Sequence, residues 1–192
     1  MSHSCEAFAD GVLEALAVYQ GAGAVENGMR IVPSFYPSWD EERGAVALTH
    51  EAGPDNLLRV EAKVTGEPRW LTLNLDLGGG SFEVGDVIGV VADVEGDGEF
   101  ALEMFARSTS EHENTDTEFA DRLPVSTARG VGVIMHTVGP GDGVLTTDRF
   151  HMLIIRLPRR DCRLEIRELK LFVLPASHGL RSGPMTLAGA SA

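Results

Sequence analysis

Along most of the chain, apolar and polar residues alternate one for one in short runs that stop at clusters of Gly, Pro, Asp and Asn. Successive side chains of a strand point to opposite faces, so a period of two marks a strand with one buried face. The pattern predicts eight strands: Ala45 to Glu51, Leu57 to Thr65, Arg69 to Leu77, Val87 to Val94, Glu99 to Ser108, Gly130 to Val138, Arg149 to Leu157 and Arg163 to Leu174. With no helical crossovers between them, the pairing is antiparallel and the expected fold is all-β, an antiparallel two-sheet β-sandwich of the jelly-roll kind. Thr65 to Pro68 and Glu95 to Gly98 carry turn-forming residues and are expected to be hairpin turns that set their flanking strands side by side.

The last strand adds a detail. Leu164 and Ile166 share a face, and after Arg167 and Glu168 that face passes to Leu169, Leu171 and Val173. A one-residue slip turns every later side chain over, so a strand that keeps its core contacts must absorb the extra residue in a β-bulge.

Phe8, Val12, Leu13, Leu16 and Tyr19 recur at near-helical spacing around Gly11, which predicts a short helix. From Gly21 to Trp39 the chain is rich in Gly, Pro and Asn, with Ile31, Val32, Phe35, Tyr36 and Trp39 as anchors, and reads as an irregular segment pinned across the sandwich. The polar piece Thr109 to Thr127 is expected to cross one end as a loop. The domain reading is an N-terminal segment over 1–40, a sandwich over 41–175 and a frayed tail over 176–192.

The run Leu164-Glu-Ile-Arg-Glu-Leu-Lys-Leu-Phe172, together with the strand rhythm from residue 40 to 174, resembles jelly-roll sandwiches of the carbohydrate-binding-module and galactose-binding-domain type. The resemblance implies glycan binding without catalysis, on a sheet face or in end loops, often with a structural calcium away from the sugar. No calcium pattern matches residue by residue. Asp93 to Glu99 begins like an EF-hand loop, yet Met104 stands where the twelfth position needs a bidentate Glu, so a hairpin tip is the preferred reading. No cofactor is expected.

The residues of one strand point to a site by themselves. In Arg69 to Leu77, four leucines form one face while Trp70, Thr72, Asn74 and Asp76 form the other. An indole offers a rigid apolar plate to the C–H face of a pyranose, and Asn and Asp read its hydroxyls through directional bonds. Across the expected hairpin, Arg59 and Glu61 lie beside this row, and Glu103, Phe105 and Arg107 face outward on a further strand. Trp70, Asn74, Asp76, Arg59, Glu61, Glu103 and Arg107 are thus the candidate ligand-binding residues, without catalytic or metal-binding roles. Two other readings stay open. The same face, with Tyr36 and Trp39, could dock another chain, a homodimer included; or Glu61 and Glu103 could face each other across a glycosidic bond.

Charge narrows the partners. A net charge of −13 opposes any general grip on phosphates, so nucleic acid and anionic membrane are poor partners. Much of the acidity falls between Asp93 and Asp121 and reads as a solvated rim. Cys5 and Cys162 lack ligand spacing, and the six histidines form no H-x-H or H-E-x-x-H pair, which gives metal catalysis no basis. Gly78 to Ser81 lacks the second glycine of a nucleophile elbow, and Glu83 stands in its place. Glu6, Asp10 and Glu14 occupy positions where a signal peptide is apolar, which predicts a soluble, cytoplasmic protein.

Overall fold

A computed structural model of the chain describes residues 2–110, 113–145 and 149–178. Among them the chain forms a helix, α1 (Ser4–Val18), and eleven strands: β1 (Gly21–Val25), β2 (Phe35–Trp39), β3 (Gly44–Gly53), β4 (Asn56–Gly66), β5 (Leu71–Gly79), β6 (Val87–Gly96), β7 (Phe100–Thr109), β8 (Asn114–Val125), β9 (Gly130–Thr137), β10 (Phe150–Arg156) and β11 (Cys162–Leu174). They pair antiparallel in a six-stranded sheet, ordered β1-β3-β4-β11-β6-β9, and a five-stranded sheet, ordered β2-β5-β10-β7-β8. The expected all-β sandwich is present.

The core is the sum of the inward-pointing alternations. Leu71, Leu73, Leu75 and Leu77 on β5 meet Leu58, Val60 and Ala62 on β4 and Leu164, Ile166, Leu169, Leu171 and Val173 on β11 within one buried cluster. Fully burying one such leucine contributes roughly 1.5–3 kcal/mol relative to leaving it in water. The bulge in the last strand is where the phase change places it. β11 pairs with β6 through Ile166 and again from Glu168, with a register shift between, and both Ile166 and Leu169 reach the core.

The chain steps between sheets at every link from β4 to β7 and from β8 to β11, and this corrects the two expected hairpins. β4 and β5 lie in different sheets, as do β6 and β7, so Thr65–Pro68 and Glu95–Gly98 are crossovers. The residues that favour a tight turn also suit a short step across the sandwich. Gly66 is needed there for another reason: its φ is 84°, and a Cβ would stand 2.7 Å from the carbonyl oxygen of Arg43.

Three strands escaped the alternation. β1 and β2, in the segment read as irregular, supply an edge strand to the six-stranded sheet and one to the five-stranded sheet. The piece expected as a polar loop contains β8, the edge strand beside β7. The short helix is real and runs fifteen residues, with His3 Nδ1 accepting from the Cys5 amide at its start. It buries Cys5, Ala9, Val12, Leu13 and Leu16 and packs on β5 and β11, one strand from each sheet. Gly78 permits the close approach, since a Cβ there would lie 2.8 Å from the Phe8 ring. His151 is fully buried nearby, where Ser108 Oγ lies 2.8 Å from its Nδ1 and the Gly80 carbonyl 3.0 Å from its Nε2; burial pushes its pKa down. Ala176–His178 form a 3-10 turn, and the rest of the expected tail, 179–192, lies outside the described residues. No described helix is long and apolar enough to cross a membrane.

Candidate functional site

The outer face of the five-stranded sheet is a grid set by strand register. Thr72, Arg156, Glu103 and Arg122 stand in one row across β5, β10, β7 and β8. Asn74, Ile154, Phe105 and Glu118 form the next, and Asp76, Met152, Arg107 and Asp116 the third. β2 extends two of the rows with Ser38 beside Thr72 and Tyr36 beside Asn74. All these residues point away from the sandwich core by alternation, yet Thr72, Asn74, Asp76, Phe105 and Ile154 are only 3–6 % exposed. An outward row hidden from solvent means that its neighbours rise around it, so the face is a cleft.

The floor of the cleft is held tightly. Asn74 donates from Nδ2 to the Tyr36 carbonyl at 3.1 Å and accepts from the Thr72 hydroxyl at 3.3 Å. Phe105 lies under two guanidinium groups, Arg156 at 4.3 Å and Arg107 at 5.4 Å from the ring centroid. Those arginines are fixed in turn: Arg107 grips Asp116 through two bonds of 2.7 and 2.8 Å, and Arg156 grips Glu118 through two of 2.6 and 2.8 Å. Glu103 is shared, one oxygen 2.9 Å from Arg122 and the other 3.5 Å from Arg156. Such a lattice presents fixed donors and acceptors side by side, and a sugar hydroxyl can accept from one and donate to the next.

Trp70 forms the wall. It immediately precedes β5, is 40 % exposed, and lines two neighbouring cavities of about 340 and 450 Å³. Both cavities also share Arg69 and Arg156. The anchor of this wall is Asp40, just under the surface beneath Arg69. Its carboxylate accepts from the Arg69 amide at 2.9 Å, from Arg69 Nε at 2.8 Å and from the Glu42 amide at 3.1 Å, while its own amide donates to the Trp70 carbonyl. The Arg69 guanidinium, chief among these partners, holds the Asp40 carboxyl well below the usual carboxylate range. Arg69 itself lies over the indole, 5.1 Å from the ring centroid.

The expected residues therefore separate into two groups. Trp70, Asn74, Glu103 and Arg107 line the cleft, and Asp76 shares their sheet face but is buried and lines neither cavity. Arg59 and Glu61 do not: β4 belongs to the six-stranded sheet, where Arg59 pairs with Glu165 at 2.8 Å and Glu51 at 2.9 Å and Glu61 pairs with Lys63. Their expected place beside the Trp70 row rested on the hairpin that is instead a crossover, and the same correction separates Glu61 from Glu103. Trp39, expected in an outer patch with Tyr36, points into the core and is buried. Asp93, the first residue of the loop compared with an EF-hand, is buried and bonded by both carboxylate oxygens to Arg129, while Glu103, Asp116 and Glu118 pair with the cleft arginines and stay in contact with solvent. No cluster of three or more metal-ligating side chains occurs among the described residues.

Sequence reasoning missed Arg156, Ile154, Asp116 and Glu118. The run from Met152 to Ile155 is apolar throughout, which masks its alternation. β8 carries a register shift opposite Glu103 and Phe105, which breaks the period that would have revealed it.

The architecture has known counterparts. A family 4 carbohydrate-binding module is similar with a TM-score of 0.53 at 9% identity, over 79% of this chain and 95% of that one. The chain shares the β-sandwich fold of carbohydrate-binding modules. A family 11 module from Clostridium thermocellum, solved with a beta-1,3-1,4-mixed-linked tetrasaccharide, gives 0.48 at 12% identity over 80% of this chain and 96% of its own. A xylan-binding family 22 module from Paenibacillus barcinonensis gives 0.46 at 10% over 91% and 94%. No protein-family model matches the chain, and no curated protein matches it in sequence.

Proposed function

We infer that this protein binds an oligosaccharide, without turning it over, in the cleft on the outer face of its five-stranded sheet. The observation that carries the reading is the conjunction of an outward row shut away from solvent with a tryptophan exposed at its rim. A planar indole supplies area at little entropic cost, and the lattice of Arg and carboxylate groups reads hydroxyls without reorganising. Trp70 is the stacking plate. Glu103, Arg107 and Arg156 are the hydroxyl readers, while Asn74, Asp76 and Asp40 support the floor and the wall. The fold shared with a family 4 carbohydrate-binding module supports the same reading, and the two sheets keep Glu61 and Glu103 from flanking one bond as a glycosidase requires.

The test is a glycan-array screen of the whole chain, with and without calcium, alongside Trp70→Ala. Selective binding that disappears in Trp70→Ala supports the assignment. Selective binding that survives it, or none on any glycan, overturns it.

A further inference from the structure

The cations of the cleft are matched by carboxylates with one exception. Arg69 meets Asp40 and Glu42, Arg107 meets Asp116, Arg122 meets Glu103, and Arg156 meets Glu103 and Glu118. Arg159 lines the larger cavity together with Trp70, Arg69 and Arg156, but it forms no ion pair among the described residues. It sits in the link between β10 and β11, exposed, and its Nη1 donates at 3.4 Å to the carbonyl oxygen of Arg69, the residue before Trp70. A guanidinium is always charged and presents a planar fork of donors suited to a carboxylate. Hydroxyls on a neutral sugar need donors and acceptors together, as the rest of the cleft supplies, whereas this end offers donors whose charge nothing in the cavity wall has claimed.

We propose that the Trp70 end of the cleft receives a sugar bearing a carboxylate, a uronic acid, with Arg159 as the residue that pairs with it. The inference rests on the oligosaccharide reading above and names the ligand class of the same site. The chain's net charge of −13 sets the limit on that class. A polyuronate would be repelled at a distance, so the ligand is a mainly neutral chain carrying an occasional uronic acid. Selectivity then lies in the local pair formed after contact.

The experiment compares two probes that differ at one group: an otherwise neutral oligosaccharide bearing one uronic acid residue, and the same molecule with its carboxyl reduced to the alcohol. Calorimetric titration is run on the full chain, on Arg159→Gln, on Arg160→Gln and on Trp70→Ala. Arg160 is the neighbour outside the cavity lining, exposed and bonded to the Glu99 carbonyl, and serves as the matched control. The unmodified chain should prefer the uronate by about fivefold, the size of a good exposed ion pair. Arg159→Gln should erase that preference while leaving the affinity for the reduced probe in place; Arg160→Gln should change neither. Equal binding of both probes, or a uronate preference that survives Arg159→Gln, overturns the uronate assignment and leaves the oligosaccharide reading standing. Failure of both probes, together with failure of every neutral glycan on the array, overturns both.

Discussion

The two sheets obey the same alternation, yet the outer residues of β3 and β4 differ from those of β5, β7 and β10. On β3 and β4 of the six-stranded sheet, outward residues such as Thr49, Glu51, Glu61, Lys63 and Thr65 are exposed, and their ion pairs lie open to water. On β5, β7 and β10 of the five-stranded sheet, the outward residues Thr72, Asn74, Asp76, Phe105 and Ile154 are buried. Polar side chains on an outer row lose their water at a cost that bonds offset, and here Asn74 bonds the Tyr36 carbonyl and the Thr72 hydroxyl while Thr72 bonds the Ser38 carbonyl. The lesson is that outward direction identifies a surface, whereas a run of outward residues buried across neighbouring strands beside an exposed tryptophan identifies a cleft. The first was readable from the period of two; the second depended on which strands share a sheet.

Five substitutions would break or sharpen this contrast. The largest effect falls on the inner side of β5. Leu73→Ala should destabilise the fold by about 2–5 kcal/mol in chemical denaturation, because a leucine without exposure in the central cluster leaves a cavity; a loss under about 1 kcal/mol would contradict the core assignment. One step outward, Trp70→Ala should weaken glycan binding by about tenfold or more, with little change in the melting temperature. The third acts behind the wall. Asp40→Asn, which removes the charge under Arg69, should weaken binding less than Trp70→Ala and change the pH dependence of folding stability.

The sign follows from Arg69, which lowers the Asp40 carboxyl in the folded state. A depressed carboxyl stabilises the folded wall fully above the unfolded value of about 3.9 and loses that contribution as pH falls below it toward the folded pKa. Folding stability followed by chemical denaturation should therefore stay flat above pH ~4.5 and fall below it, and Asp40→Asn should remove part of that fall. A wild-type decline already near pH 6 would contradict the role given to Asp40. The smallest effect is expected on the opposite sheet. Arg59→Ala and Glu61→Ala should leave glycan affinity unchanged within a factor of about two, because exposed ion pairs contribute little and neither residue borders the cleft; a loss comparable with that of Trp70→Ala would move the site to the other face.

Much of this architecture was legible before any coordinates. Short apolar or alternating runs between turn residues located the strands from β3 to β7 and from β9 to β11 to within a few residues, and the phase change at Arg167 located the β11 bulge. Alternation works because inner and outer environments differ at each step of the strand. It gives no account of which strands pair, so the turn at Gly66, compatible with a hairpin or a crossover, left Arg59 and Glu61 on the wrong sheet. It also fails where both faces are apolar or where a bulge breaks the period. Ile154 and Glu118 were hidden for those two reasons, and with them the middle of the cleft.

The central claim is tested most directly by following backbone amide shifts by NMR while the full chain is titrated with the glycan selected on the array. The account predicts that the perturbed amides cluster at residues 69–76, 103–107 and 152–159, with β3, β4 and the outer residues of β11 silent. Shifts concentrated on β3 and β4 around Arg59 and Glu61 would contradict it.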